Sequence, residues 1–277
     1  FFKDFILKLT GGTNINNLKF TDIENIEISL PPLSEQKRII KILDETFEKL
    51  EKAKKNTEKN LQNSKELFES YLNDVFSNPG KDWEEKGLNQ VLEDTNNIDP
   101  TKNPKKEFMY LDVSGVDKDT KEIINIARII GDNAPSRARK QIQTGDVVFA
   151  TVRPTHQRVA IIPENLNNQI CSTGYMVLRT KNILNNKLLF YCLLTRSFNQ
   201  SMERLQKGAS YPAVTETDVK RQVIYFPKSL NEQKQIAKKL EELSEKTKKL
   251  ESLYKQKLAN IEELKKSILQ KGFSGEL

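Results

Sequence analysis

Three short stretches of the sequence concentrate side chains able to grip a polyanion. They are Arg137-Ala138-Arg139-Lys140, Arg153-Pro154-Thr155-His156-Gln157-Arg158 and Lys207-Gly208-Ala209-Ser210-Tyr211. Ammonium and guanidinium groups neutralise phosphates, while Arg, Gln and Ser also match the donor and acceptor patterns on base edges. The candidate DNA contacts are therefore Arg137, Arg139, Lys140, Arg153, His156, Gln157, Arg158, Lys207, Ser210 and Tyr211. In this reading Arg153 meets a guanine edge and Lys140 meets phosphate. The local charge agrees: between Arg137 and Thr215 eleven Lys and Arg stand against three acids, Asp146, Glu164 and Glu203, whereas residues 81–136 carry eight against twelve. The competing reading of each cluster is a solvated basic face.

The single histidine, His156, excludes His-rich metal sites, and its place between Arg153 and Arg158 favours a phosphate or base contact over a catalytic base. Two cysteines, Cys171 and Cys192, are too few for a disulfide framework and read as buried thiols in a reducing, cytoplasmic compartment. A net charge of +7 and a pI near 9.1 lean toward a polyanionic partner without requiring one. With 30% charged residues and a mean hydropathy of -0.62, the chain is expected to be soluble and to carry long solvated helices. Its apolar runs fall well short of the roughly 20 residues that span a bilayer. Phe1-Phe2-Lys3-Asp4 offers no basic segment or small-residue cleavage site, so no signal peptide is read there.

The elements that must position these groups come in two copies. Gly12–Pro31 aligns with Gly208–Pro227, placing Asp22-Ile23 on Asp218-Val219 and Ile28 on Ile224. After one inserted residue, Leu33-Ser34-Glu35-Gln36-Lys37-Arg38-Ile39 falls on Leu230-Asn231-Glu232-Gln233-Lys234-Gln235-Ile236, and the match runs on to Phe76-Ser77 against Phe273-Ser274. Each unit is thus a whole domain plus a helix, with a period far beyond that of solenoid repeats. The first unit lacks the counterpart of residues 78–196, roughly 120 residues, and is read as N-terminally truncated. Residues 1–30 are then the remnant of a first domain. Its Phe1, Phe2, Phe5, Ile6 and Leu9 are expected either to be disordered or to dock on another chain.

Ser34–Phe76 and Asn231–Lys271 contain neither Pro nor a helix-breaking Gly and carry apolar residues at steps of three and four. The first seam runs through Leu43, Phe47, Leu50, Leu61, Phe68, Tyr71 and Val75, with Lys54, Thr57 and Ser64 weakening its middle. The second runs through Ile236, Leu240, Leu243, Leu250, Tyr254, Ile261, Leu264 and Ile268. Two long helices packed antiparallel as a coiled coil are expected, each roughly 60–65 Å long. Ser34 and Asn231 are the expected N-caps, with Glu35 and Glu232 at the positive end of the dipole. The repeated pairs Glu35-Gln36 and Glu232-Gln233 serve either as caps or as a docking surface for a partner subunit.

Between the helices, residues 81–226 change character. Strand-like runs occur at 146–152, 159–162, 174–179 and 222–226, a helix is expected over 187–206, and Gly131-Asp132-Asn133, Thr144-Gly145-Asp146 and Pro163-Glu164-Asn165 mark turns. The fold class expected is α+β: a mixed α/β domain flanked by two long helices forming an antiparallel coiled coil.

Gly145-Asp146-Val147-Val148-Phe149-Ala150-Thr151-Val152-Arg153-Pro154, followed by Ile170-Cys171-Ser172-Thr173-Gly174-Tyr175, resembles the target-recognition domain of type I restriction-modification specificity subunits. Gly208-Ala209-Ser210, Val223-Ile224-Tyr225-Phe226-Pro227 and the closing Phe273-Ser274-Gly275-Glu276-Leu277 carry the same resemblance. It covers the whole chain: a domain remnant at 1–30, a long helix at 31–80, a complete target-recognition domain at 81–227 and a second long helix at 228–277. The resemblance implies that the domain reads half of a bipartite double-stranded DNA target and that the helices act as a ruler for the spacer. It implies methyltransferase (M) and restriction (R) subunits as partners, with S-adenosylmethionine, ATP and Mg on those partners and no cofactor here. No Asn/Asp-Pro-Pro-Tyr/Phe, Gly-rich nucleotide or Walker motif occurs, in keeping with a chain that is no enzyme itself. Self-association through the helices is also expected. The alternatives are a stand-alone repressor-like DNA-binding protein and a coiled-coil assembly protein with an incidental basic domain.

Overall fold

A computed structural model of the chain describes residues 30–277. The expectations for Phe1, Phe2, Phe5, Ile6, Leu9 and the rest of the N-terminal remnant lie outside the described residues. In chain order the elements are α1 (Leu33–Ser77), β1 (Trp83–Gly87), α2 (Leu88–Val91), β2 (Glu107–Leu111), β3 (Ala127–Ile130), β4 (Ala138–Ile142), β5 (Val147–Ala150) and β6 (Val159–Ile161). Then follow β7 (Gln169–Ser172), β8 (Tyr175–Leu178), α3 (Asn186–Leu193), α4 (Arg196–Leu205), α5 (Glu216–Lys220), β9 (Val223–Pro227) and α6 (Leu230–Ser274). The described residues divide into two compact units, 30–65 with Lys248–Leu277, and Glu66–Thr247, so α1 and α6 each contribute to both.

In the first unit α1 and α6 run antiparallel. Lys54 pairs with Glu262 at 2.7 Å and Lys265 with Glu51 at 2.8 Å, while Arg38 reaches the Leu277 carbonyl. These exposed pairs contribute little stability but fix the register. The buried seam differs from the expected one. Leu50, Thr57 and Ser64 fall at heptad steps on α1 and are all buried, as is Ile261 on α6. Thr57 and Ser64 donate their hydroxyls to the carbonyls of Ala53 (2.7 Å) and Asn60 (2.8 Å) one turn back. A buried hydroxyl satisfied inside its own helix carries no desolvation penalty, so these residues complete the seam that they were expected to weaken. Leu250 and Leu264, expected in the seam, are exposed instead.

In the second unit the ends of α1 and α6 lie against a three-layered domain. The central sheet is β6-β5-β8, with β5 antiparallel to both neighbours. Every residue of β5 and β8 is buried, and alternate side chains serve opposite faces. Val147, Phe149, Met176 and Leu178 pack with Leu188, Leu189, Leu193, Phe198 and Met202 of α3 and α4. Val148, Ala150, Tyr175 and Val177 pack instead with Leu111, Ile142 and Cys171 of the second sheet, β3-β2-β7-β4. A strand covered on both faces reads as an uninterrupted apolar run, which is why Val147-Val148-Phe149-Ala150 shows no alternation.

A third sheet pairs β1 with β9 antiparallel, from Trp83↔Pro227 to Gly87↔Val223. The domain therefore begins and ends side by side. Near this pair, Leu72 of α1 is buried with Tyr191 and Leu240, and Phe68 meets Tyr191 edge-on at 6.2 Å. Leu72 takes the place expected for Tyr71, which is exposed. The expected helix over 187–206 is two helices, because Thr195 ends one and caps the next by accepting from the Phe198 amide. Helix starts also shift by about one residue. Pro32 O receives the Glu35 and Gln36 amides, and Ser229 Oγ receives the Glu232 amide, so neither Ser34 nor Asn231 is the N-cap.

Gln233, expected on a partner-docking surface, is fully buried. Its amide donates to Ile183 O (2.9 Å) and Pro227 O (2.7 Å), and its Oε1 accepts the Asn185 amide at 2.7 Å. It is a bracket between α6, the end of β9 and the loop before α3.

Two outcomes follow from these burials. Gln233→Ala leaves three backbone groups unpaired and should destabilise the protein by about 2–3 kcal/mol in chemical denaturation. Thr57→Val keeps the shape of the seam and should be neutral or stabilising in thermal melts, whereas Thr57→Asp, which buries a charge, should lower the midpoint clearly.

Candidate nucleic-acid interface

A chain of backbone hydrogen bonds gathers four loop segments of the second unit. Thr173 N donates to Arg137 O (2.8 Å), Thr151 N to Gly174 O (2.9 Å), Val214 N to Thr151 O (2.9 Å) and Arg153 N to Pro212 O (2.7 Å). Lys207 and Ala213 exchange both of their backbone bonds, and Val152 bridges Ala213 as well. Thr151 and Val214 are buried at these links, while the side chains of Arg137, Arg153, Lys207 and Tyr211 are left exposed. Gly208 turns the chain at φ +102°, a conformation that a side chain would strain, and an added Cβ would stand 3.0 Å from Tyr211 O.

The loop after β5 is itself held in an uncommon shape. Arg153 (φ 49°) and Gln157 (φ 48°) both adopt the left-handed conformation around the short helical turn at Pro154–His156. For a non-glycine residue this costs of order 1–3 kcal/mol and persists only where neighbouring structure enforces it. One effect is to lay the Arg153 guanidinium over the Tyr211 ring, 5.3 Å from its centroid. Tyr211 is 73% exposed, so the pair offers the guanidinium's donor fork to solvent. Arg137, His156, Lys207 and Ser210 are exposed too, and none has a side-chain hydrogen bond or ion pair to another described residue.

The other candidates are bound into the protein. Lys140 pairs with Glu216 of α5 and its side chain is only 12% exposed. Arg139 sits at a β-bulge of β4, donates to Ala138 O at 3.0 Å and lies 3.8 Å from Asp99. Gln157 donates to Leu194 O at 3.1 Å, and Arg158 donates to Val116 O. The ten sequence candidates thus separate into a free set, Arg137, Arg153, His156, Lys207, Ser210 and Tyr211, and a bracing set, Arg139, Lys140, Gln157 and Arg158. Apart from the adjacent Ala138 carbonyl that Arg139 meets, the partners of the bracing set lie far along the chain, where local spacing gave no sign of them.

Sequence reasoning missed several supports. Asp146 is buried and holds Arg179 through two bonds of 2.9 and 2.8 Å, while also accepting the Gln143 amide at 2.7 Å. Lys121 is half-buried beside the 153–158 loop, where burial pulls its amine down to about 8. Burial pushes the Cys171 and Cys192 thiols up to about 12, which makes them inert packing groups. Among the described residues no cluster of His, Cys, Asp or Glu could hold a metal ion, and no helix is long and apolar enough to cross a membrane.

Comparison with known proteins gives this geometry its context. The family model described as type I restriction modification DNA specificity domain matches residues 1–59 and 80–263. The chain is 23% identical to the specificity subunit of the type I restriction enzyme EcoKI from Escherichia coli strain K12, aligning over 100% of its own length and 63% of the relative. It is 27% identical to the MjaVIII specificity subunit from Methanocaldococcus jannaschii, over 99% of its own length and 68% of the relative. The chain thus spans about two thirds of the curated relatives it matches. The solved HsdS subunit from Thermoanaerobacter tengcongensis superposes with a TM-score of 0.59 at 39% identity, covering 63% of this chain and 45% of that one. With the family model matching residues 1–59 and 80–263, well over half of the chain, the chain belongs to the type I restriction modification DNA specificity family.

Proposed function

We propose that this chain reads one half of a bipartite double-stranded DNA target through the outward loops of its mixed domain, and carries no catalytic chemistry of its own. The observation that carries this reading is the Arg153–Tyr211 stack. It sits on a loop braced through its backbone, on a chain of the specificity family, with Arg137, His156, Lys207 and Ser210 unpaired nearby. A guanidinium held over an exposed ring is positioned to meet the O6 and N7 of guanine as a fork. Lys207 and Arg137 suit phosphates.

In this reading the helices act as the spacer ruler, and M and R subunits, holding S-adenosylmethionine, ATP and Mg, are the catalytic partners in the cytoplasm. Glu35 and Gln36 remain candidates for the partner-facing surface. Gln36 is the repeat counterpart of Gln233 but among the described residues donates to Pro31 O alone, at 2.7 Å, and Glu35 is tied to Arg38 at 2.6 Å. Self-association belongs to the same reading, supported by an apolar surface on the helical unit. Ile40 and Phe273 are 56% and 76% exposed, although Ala237, the repeat counterpart of Ile40, is 1% exposed.

Three substitutions test the face in salt-titrated binding to target and random duplexes with M subunits present. Arg153→Ala should cost about 1–3 kcal/mol on the target and relax specificity at one base pair. Lys207→Ala should weaken all sequences alike and lower the salt slope by roughly one. Lys140→Ala should leave that slope unchanged, because its ammonium already belongs to Glu216. Binding by the first two variants that equals the parent on both duplexes would reduce the face to a solvated surface. Separately, Ile40→Asp with Phe273→Asp should shift the free chain toward monomer in light scattering.

A further inference from the structure

The Asp117–Glu122 turn and the 153–158 loop exchange cations. Lys121 Nζ donates to Gln157 O at 2.8 Å and to Lys118 O, while Arg158 donates to Val116 O. Each segment thus sends one charged side chain to a backbone carbonyl of the other. The turn that supplies Lys121 is itself rigidly built. Asp117 accepts the amides of Asp119 (2.8 Å) and Thr120 (2.7 Å), Asp117 N donates to Glu122 O at 2.9 Å, and Val116 bridges Ile123. Lys121 also has a positive φ of 62°, so two strained residues, Lys121 and Gln157, are joined by one ammonium.

We infer that Lys121 is a positioning residue for DNA recognition: its ammonium, clamped on the Gln157 carbonyl, holds the left-handed turn that aims His156 and Arg153. This rests on the reading of the 153–157 loop as a base-contacting loop. Gln157 is the second of the loop's two left-handed residues, and the next residue, Arg158, is itself fastened to Val116 O at the base of the same turn. Burying an ammonium opposes its charged form, with Lys118 and Arg158 adding repulsion and Asp117 and Asp119 offsetting it. Its folded value of about 8 lies below the ordinary 10.5. At neutral pH the charge therefore costs stability, and that cost is relieved as pH rises from about 8 toward 10.5.

The test uses the full chain with its M subunits, a random-sequence duplex pool as probe, and the variants Lys121→Met and Lys121→Arg. Lys121→Met should match or exceed the parent's thermal midpoint at neutral pH and keep its salt-dependent affinity for the pool. It should lose about tenfold in sequence enrichment, with Lys121→Arg restoring it. Parental enrichment should fall as pH passes about 8, and that of Lys121→Arg should not. Amide hydrogen exchange at His156 and Gln157 of the free chain should quicken in Lys121→Met and recover in Lys121→Arg. Unchanged exchange, or enrichment lost only in step with the thermal midpoint, would overturn the positioning role. Quickened exchange with no enrichment by the parent would instead overturn the DNA-reading function and leave the brace standing.

Discussion

The pairing of β1 with β9 is the constraint on which the architecture depends. Five residue pairs, from Trp83↔Pro227 to Gly87↔Val223, bring the first and last strands of the domain together. A chain that leaves a domain where it entered must set the flanking helices side by side and opposed. The packing of Leu72 with Leu240 around Tyr191 continues that arrangement on the helices, and the buried Gln233 bracket ties the start of α6 to β9 and to the loop before α3. The antiparallel helices are thus a consequence of strand pairing as well as of their own seams.

The proposed DNA face follows a different logic. Its loops are linked to one another through backbone hydrogen bonds, with Thr151 and Val214 buried at the links, which leaves exposed side chains such as Arg137, Lys207 and Ser210 outside the packing. Such a face can change its sequence preference without changing its frame. The cost of holding Arg153 and Gln157 in left-handed conformations is borne by surrounding braces, namely Arg158, Lys121 and the bridge at Ala213. Positive charge in this region therefore has two roles, and pairing separates them. Lys140 and Arg158 fasten the protein to itself, whereas Arg153 and Lys207 are presented outward.

What was legible in the sequence was periodic or repeated. The long helices, the α+β class and the apolar strands β5, β6, β8 and β9 follow from hydrophobic pattern, and the domain-plus-helix organisation follows from the internal repeat. β1, with the sequence Trp83-Glu84-Glu85-Lys86-Gly87, was invisible because its membership comes from pairing with β9 and not from apolar alternation. Thr57 and Ser64 read as faults in the seam because a hydroxyl bonded one turn back looks like any polar residue in a sequence. Gln233 was misplaced for the related reason that repetition marks importance without saying whether the importance is packing or contact. The candidate face was half legible: basic clusters could be found, but Lys140 and Glu216 lie 76 positions apart and only the fold joins them.

Mapping methylated adenines in DNA modified by the co-purified M subunits, with and without this chain, tests the central claim most directly. Sequence reading by the outward loops predicts that methylation appears only with the chain present and falls within one recurring motif, and that Arg153→Ala alters that motif at a confined position. Methylation that is independent of the chain, or a motif untouched by every substitution in the free set, would contradict it.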